Sequence, residues 1–226
     1  MEKESDKISC LVLPILVALV VLRVLYVLYW TGKPIQESHS LRTLIVLGSG
    51  GHTAEMLSIV NVLQKDRFAP RFYVAAATDN MSLQKARVLE ESLIDQEENS
   101  RGNKIVASQF MQIYRSREVG QSYITSVGTT LIAMAHALWL TLTIRPQVII
   151  CNGPGTCVPL CVSAFIFKLL GLGWSHIFYV ESIARVRRLS LSGLLLYKLL
   201  LADQLYVQWP QLQRKYPRAH HVGSLM

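Results

Sequence analysis

Gly48-Ser49-Gly50-Gly51-His52 and Asn152-Gly153-Pro154-Gly155-Thr156 are the two segments of this 226-residue chain whose residue types and spacing could do chemistry. Each follows a short apolar run (LRTLIVL at 41–47, QVIIC at 147–151) and opens a helical pattern. Glycine lets a backbone approach a ligand closely and take positive φ, and the first turn of the next helix offers unpaired N–H groups to an anion. One such loop is satisfied by plain turn chemistry. Two at the same edge of a sheet point to a phosphate or diphosphate site built from Gly48, Ser49, Gly50, Gly51, Asn152, Gly153, Gly155 and Thr156. No Gly-Lys-Ser/Thr follows either loop, which excludes a P-loop. A dinucleotide fingerprint fits poorly, because Thr53 stands where the third glycine belongs and Asp79 lies 29 residues after Gly50.

Several ionisable side chains fall beside these loops in the sequence. His52, at the start of a helix, is a candidate proton-exchanging group or a capping and packing histidine. Glu181 ends the apolar run HIFYVE and is a candidate base or hydroxyl acceptor, or an acid capping the next helix. Arg115 and Arg117, in IYRSREVGQS with Glu118, follow a strand onto the same edge, where they could hold a phosphate. Arg185, Arg187 and Arg188 suit anionic headgroups or form a solvated basic face. Cys151, Cys157 and Cys161 have no CxxC spacing, so they read as small buried hydrophobes, and no metal site is expected.

The elements that must position these residues alternate. Strands are expected at 41–47, 71–77, 104–114, 147–151, 176–180 and 204–209, with helices after the first loop and at 81–93, 121–144, 157–170 and 192–202. The acidic stretch EESLIDQEENSRGN reads as a mobile loop. Near-continuous apolar strands between helices predict a Rossmann-like, doubly wound parallel α/β sheet covered on both faces, with ligands beyond the carboxyl ends of the strands.

Ahead of this region lies Ile8–Trp30, an apolar run holding one charge, Arg23. Its 23 residues reach roughly 34 Å as a helix, enough for a hydrocarbon core of about 30 Å. Tyr26, Tyr29 and Trp30 suit an interface, and Arg23 can snorkel toward it. Lys3 and Lys7 are offset by Glu2, Glu4 and Asp6, and no small-residue cleavage site follows, so an uncleaved single-pass anchor is expected rather than a signal peptide. The division is then a tail (1–7), an anchor (8–30), a linker (31–40) and one α/β domain (41–226). Arg23 favours a cytosolic domain; the sequon Asn80-Met81-Ser82 argues weakly the other way.

Composition narrows the partners. The net charge is +8 and uneven: residues 35–100 carry 6 basic and 9 acidic side chains, residues 101–226 carry 13 and 3. The basic half expects an anionic partner. Because the basic residues are scattered among apolar runs in an anchored chain, nucleic acid is disfavoured. Mean hydropathy of +0.31 excludes overall disorder, and four cysteines exclude a disulfide scaffold.

VLGSGGHTAEM, IYRSREVGQS, ICNGPGTCVPLCVSA, FYVES, LYVQWP and KYP…G together resemble the membrane-anchored subunit family of the eukaryotic UDP-N-acetylglucosamine transferase that makes dolichyl-diphosphate chitobiose. The resemblance covers residues 41–226. It implies the N-terminal half of a GT-B glycosyltransferase split between two chains, where the bacterial lipid-linked transferase carries both halves in one. It further implies binding of GlcNAc-diphosphate-dolichol by this chain and recruitment of a soluble catalytic subunit, as a heterodimer or higher assembly that shares UDP-GlcNAc. The expected location is the cytosolic face of the endoplasmic reticulum membrane. Gly48, Gly50, Gly51, Gly153 and Gly155 match the acceptor-diphosphate loops, and His52 matches the histidine closing the first. Inversion at the sugar carbon is expected, without cofactor, and with no activity from this chain alone. About 190 residues make one lip of a cleft, which by itself implies a partner. Two other readings stay open: a pure membrane scaffold for a catalytically sufficient partner, and an anchored nicotinamide-dependent reductase.

Overall fold

The computed structural model describes residues 2–35, 40–98, 108–116, 122–153 and 155–225. Among them, strands β1 (Thr43–Val46), β2 (Arg71–Ala76), β3 (Gln109–Ile113), β4 (Val148–Asn152), β5 (His176–Val180), β6 (Gln204–Val207) and β7 (His220–His221) form one parallel sheet. Its order is β3-β2-β1-β4-β5-β6-β7. The helices are α1 (Glu2–Trp30), α2 (Gly51–Val62), α3 (Asn80–Glu98), α4 (Tyr123–Ile144), α5 (Cys157–Leu170), α6 (Leu191–Lys198) and α7 (Pro210–Lys215). Chain connectivity runs outward from β1 through β2 and β3, then returns to β4 on its other side. The order therefore reverses between β1 and β4, where Val46 is in register with Cys151. A crevice at the carboxyl end follows from that reversal.

Alternation of side chains through the pleat divides the core in two. Leu44, Val46, Ile149 and Cys151 face Ala137 and Leu140 of α4 and Leu160 and Cys161 of α5. Ile45, Leu47, Tyr73 and Ile150 face Met56 and Val60 of α2 and Leu83 and Ala86 of α3. Every residue of β1 and β4 is buried, which explains their unbroken apolar character. Cys151, Cys157 and Cys161 are free thiols inside the first of these clusters.

Four expectations are corrected. The acidic stretch expected as a loop from residue 90 is helical through Glu98. Glu90 explains part of this, since it is buried and accepts from Arg71 Nη1 at 3.0 Å and Ser108 Oγ at 2.9 Å, so one acid of the run is consumed by the sheet. The third strand begins at Gln109 among the described residues, with 101–107 outside them. The sixth helix ends at Lys198 because Leu200 takes φ +56°. The sixth strand ends at Val207, and Trp209 caps α7 with Pro210 in its first turn, so α7 and β7 are additional elements.

Among the described residues, two helices are long and apolar enough to cross a membrane, α1 over Val12–Trp30 and α4 over Thr125–Ile144. α4 joins β3 to β4 of the same sheet and packs on α5, so it cannot place its two ends across a bilayer. α1 has no such constraint, and its positions 12–22 are exposed. Arg23 does not run free to an interface. Its Nε and Nη2 donate to the carbonyls of Leu169 (2.9 Å) and Lys168 (2.7 Å), capping the carboxyl end of α5, where a cation suits the helix dipole. Val27 is buried and Tyr26 meets Trp174 edge-on at 6.3 Å. Below this junction Asp203 accepts from Lys168 Nζ (2.7 Å) and from the amides of Ile177 (2.8 Å) and Gly32 (3.2 Å).

Lys168 is fully buried, and burial pushes its ammonium below the usual lysine range while Asp203 opposes that shift. Asp203→Asn removes the counter-charge and leaves a buried ammonium. The expected cost is about 3–5 kcal/mol, read as a fall in melting temperature on the order of 10 °C in detergent. A fall within about 2 °C would show the pair to be dispensable.

Candidate functional site

The first loop leaves β1 at Leu47 and turns at Gly50, whose φ of +61° suits glycine. Ser49, Gly50 and Gly51 are exposed, whereas Gly48 is buried and its carbonyl accepts from the hydroxyls of Thr53 and Ser82. Ser82 also bonds Asp79, so the sequon serine is sealed into the seam between the loop and α3. At the head of α2 the Thr53 amide already donates to the Gly50 carbonyl at 3.2 Å, and the amides of Gly51 and His52 precede any intrahelical acceptor. The second loop leaves β4 at Asn152 and turns at Gly153, with φ +63°. Gly155 is exposed, and a Cβ there would meet nothing within 4 Å. Thr156 is buried with its hydroxyl unpartnered among the described residues, directly before α5.

The two loops are joined through side chains. His52 Nδ1 lies 2.8 Å from Asn152 Oδ1. A Cβ at Gly153 would sit 2.5 Å from His52 Cε1, so the glycine is what leaves room for the ring. Asn152 Nδ2 donates to Glu55 Oε2 at 2.8 Å. Glu55, three residues after His52 on the same helix face, is 2% exposed. It also accepts from Gln208 Nε2 (3.1 Å), Ser182 Oγ (2.8 Å) and the Ile183 amide (3.3 Å). Sequence reasoning passed over Glu55, although an acid three residues beyond a loop histidine was a readable signal.

The two candidate bases part here. His52 is half-buried and faces the crevice between the loops. Glu181 is fully buried, and its carboxylate accepts from the amides of Ser182 (3.1 Å) and Ser190 (2.8 Å) and from Ser190 Oγ (3.0 Å). A Cβ at Gly193 would come within 2.5 Å of Glu181 Oε2, so the start of α6 closes over this acid. The capping alternative describes Glu181, and it is not a base open to a ligand. Arg115 lies at the same end of the sheet but follows β3, two strands from β1, or roughly 10 Å across the hydrogen-bonding direction. Arg117 and Pro154 lie outside the described residues. Arg185, Arg187 and Arg188 are exposed on the loop whose ends are pinned by Glu55 and Glu181. Among the described residues no group of three or more His, Cys, Asp or Glu is arranged to hold a metal ion.

Residues 43–225 match the family model described as oligosaccharide biosynthesis protein Alg14 like. The chain belongs to the Alg14 family. A mouse relative named UDP-N-acetylglucosamine transferase subunit ALG14 is 46% identical over 187 residues, covering 83% of this chain and 84% of its own. A Yarrowia lipolytica relative of the same name is 42% identical over 215 residues, covering 93% and 95%. Among solved structures, Acinetobacter baumannii MurG matches with TM-score 0.54 at 15% identity, over 81% of this chain and 44% of that one. The chain thus spans less than half of MurG, and the likeness concerns fold: this Alg14-family sheet resembles the N-terminal half of that molecule.

Burial pushes the Glu181 carboxyl above its ordinary value of 4.5, with the Ser190 and Ser182 hydrogen bonds opposing. The folded chain therefore holds this proton more tightly than the unfolded chain does. Stability from that source is complete below the unfolded value and is lost as pH rises through the folded one. The melting temperature of the parent chain minus that of Glu181→Gln is expected to decrease as pH rises from about 4.5 toward neutrality. An increase over that range would contradict the buried, desolvated placement.

Proposed function

We propose that this chain is the acceptor-binding, membrane-anchoring subunit of a two-chain UDP-N-acetylglucosamine transferase. In this reading it adds the second GlcNAc to GlcNAc-diphosphate-dolichol on the cytosolic face of the endoplasmic reticulum membrane. The observation that carries the proposal is the convergence of the two glycine loops at the β1/β4 reversal, with His52 between them. Exposed glycines and helix-opening amides suit the acceptor diphosphate, and α1 suits a substrate whose isoprenoid tail is in the bilayer. The names of the mouse and yeast relatives agree with a transferase subunit. A soluble partner supplies the opposing lip and most of the nucleotide pocket.

His52 takes the proton of the acceptor hydroxyl as that oxygen bonds to the anomeric carbon of UDP-GlcNAc. The bond from that carbon to the UDP oxygen breaks, and UDP leaves with the electron pair. Inversion follows from the single displacement. Gly48, Ser49, Gly50 and Gly51 form one side of the anion cradle, and Gly153, Gly155 and Thr156 the other. The Asn152 side chain is engaged by His52 and Glu55, so it holds the site rather than the ligand. Arg115 approaches from the β3 side, and Arg117 is assigned to the same anion on the sequence alone.

Gly155→Val gives the cleanest test, because a Cβ there enters open space. The expected stability change is within about 0.5 kcal/mol, with partner co-purification retained and UDP-GlcNAc transfer to a diphosphate-lipid acceptor lost. Unchanged transfer would favour a scaffold whose loops are structural. His52→Ala in the reconstituted pair is expected to lower turnover on the order of 10²–10⁴-fold. Unchanged turnover removes His52 from the role of base.

A further inference from the structure

An imidazole serves as a base only through the nitrogen that carries no hydrogen, and a neutral histidine can place that hydrogen on either nitrogen. In this chain the choice is made from the interior outward. Glu55 Oε2 and Oε1 are carboxylate oxygens that only accept, and four donors from three other segments hold them in place: Asn152, Gln208, Ser182 and Ile183. Gln208 is itself held, since its Nε2 also donates to the Glu181 carbonyl at 3.1 Å. The carboxylate fixes which way the Asn152 amide faces: the NH₂ end toward Glu55 and the carbonyl end toward His52. That carbonyl only accepts, so His52 Nδ1 at 2.8 Å must carry the hydrogen. Gly153, lacking a Cβ, leaves room for the ring to lie against the second loop. Among the described residues no hydrogen bond is made to His52 Nε2.

We infer that Glu55 is a positioning residue that, through Asn152, sets the tautomer of His52 and leaves Nε2 as the lone pair facing the crevice. The inference deepens the proposed transfer and rests on His52 being its base. It accounts for a buried carboxylate that a stability argument alone would not favour, because burying a charge costs several kcal/mol unless its hydrogen bonds are all made. It also gives Asn152 a role distinct from ligand contact. The logic is that of an orienting group behind a catalytic histidine, here relayed through an amide.

The test is ¹⁵N NMR of the histidine-labelled full chain in detergent, at a pH where the imidazole is neutral, with His52 assigned by its loss in His52→Gln. The parent spectrum is expected to show a protonated Nδ1 and an unprotonated Nε2. In Glu55→Gln the side chain can present an N–H as well as an oxygen, the Asn152 amide is free to turn, and the Nε2-protonated form should appear. Alongside, kcat of the reconstituted pair should fall on the order of 10²-fold with the acceptor KM held within about twofold. A parent spectrum with Nε2 protonated overturns the inference, and needs no folded Glu55 variant. So does an unchanged tautomer in a folded Glu55→Gln. A shifted tautomer with unchanged kcat upholds the positioning by Glu55 and instead removes His52 as the base, which separates this inference from the proposed function.

Discussion

The reversal of strand order between β1 and β4 is the constraint on which the rest of the molecule depends. The crossover after β1 leads to β2 on one side and the crossover after β4 leads to β5 on the other, so no helix covers the gap between the loops that follow β1 and β4. Such a gap exposes strand-end backbone on one side and invites collapse on the other. The chain answers with a buried carboxylate rather than an apolar plug. Glu55 reaches from α2 to the ends of β4 and β6 and to the loop after β5, so one side chain holds three strand ends at a common level. Four donors offset the desolvation that such a charge otherwise suffers. The geometry of the glycine loops is a consequence of this tie.

α5 connects that crevice to α1. Its first turn opens the second glycine loop, and its last carbonyls receive Arg23 of α1. Fourteen residues of helix place these ends about 21 Å apart. Lys168, on the last turn, is paired to Asp203 at the base of β6, and the same carboxylate accepts from Gly32 just beyond α1. α1 therefore meets the sheet through a buried ion pair and a capped helix end rather than through a bare linker. Mutation at this junction acts on stability and on the seating of α1.

The sequence showed the sheet clearly, because β1, β2 and β4 are buried on both faces and read as near-continuous apolar runs. Where tertiary partners override composition it was opaque. The acids after Leu89 resemble loop residues until Glu90 finds Arg71. Arg23 resembles a liability in a span until the α5 carbonyls receive it. His220–His221 carries no strand pattern at all and pairs only because β6 offers an edge. The site divides similarly. The turns at Gly50 and Gly153 were legible because positive φ after a strand leaves a residue-type signature. Glu55 was passed over and Glu181 was left between a base and a cap, since burial and saturation by hydrogen bonds are properties of the assembled fold.

Amide hydrogen exchange of the full chain with its partner subunit, in detergent, with and without a short-chain isoprenyl-diphosphate-GlcNAc, tests the central claim most directly. Diphosphate cradled by the two loops should slow exchange at 49–53 and 155–158 while the base of the sheet stays unchanged. Saturating acceptor that leaves both segments exchanging as before, with protection elsewhere, would contradict the account.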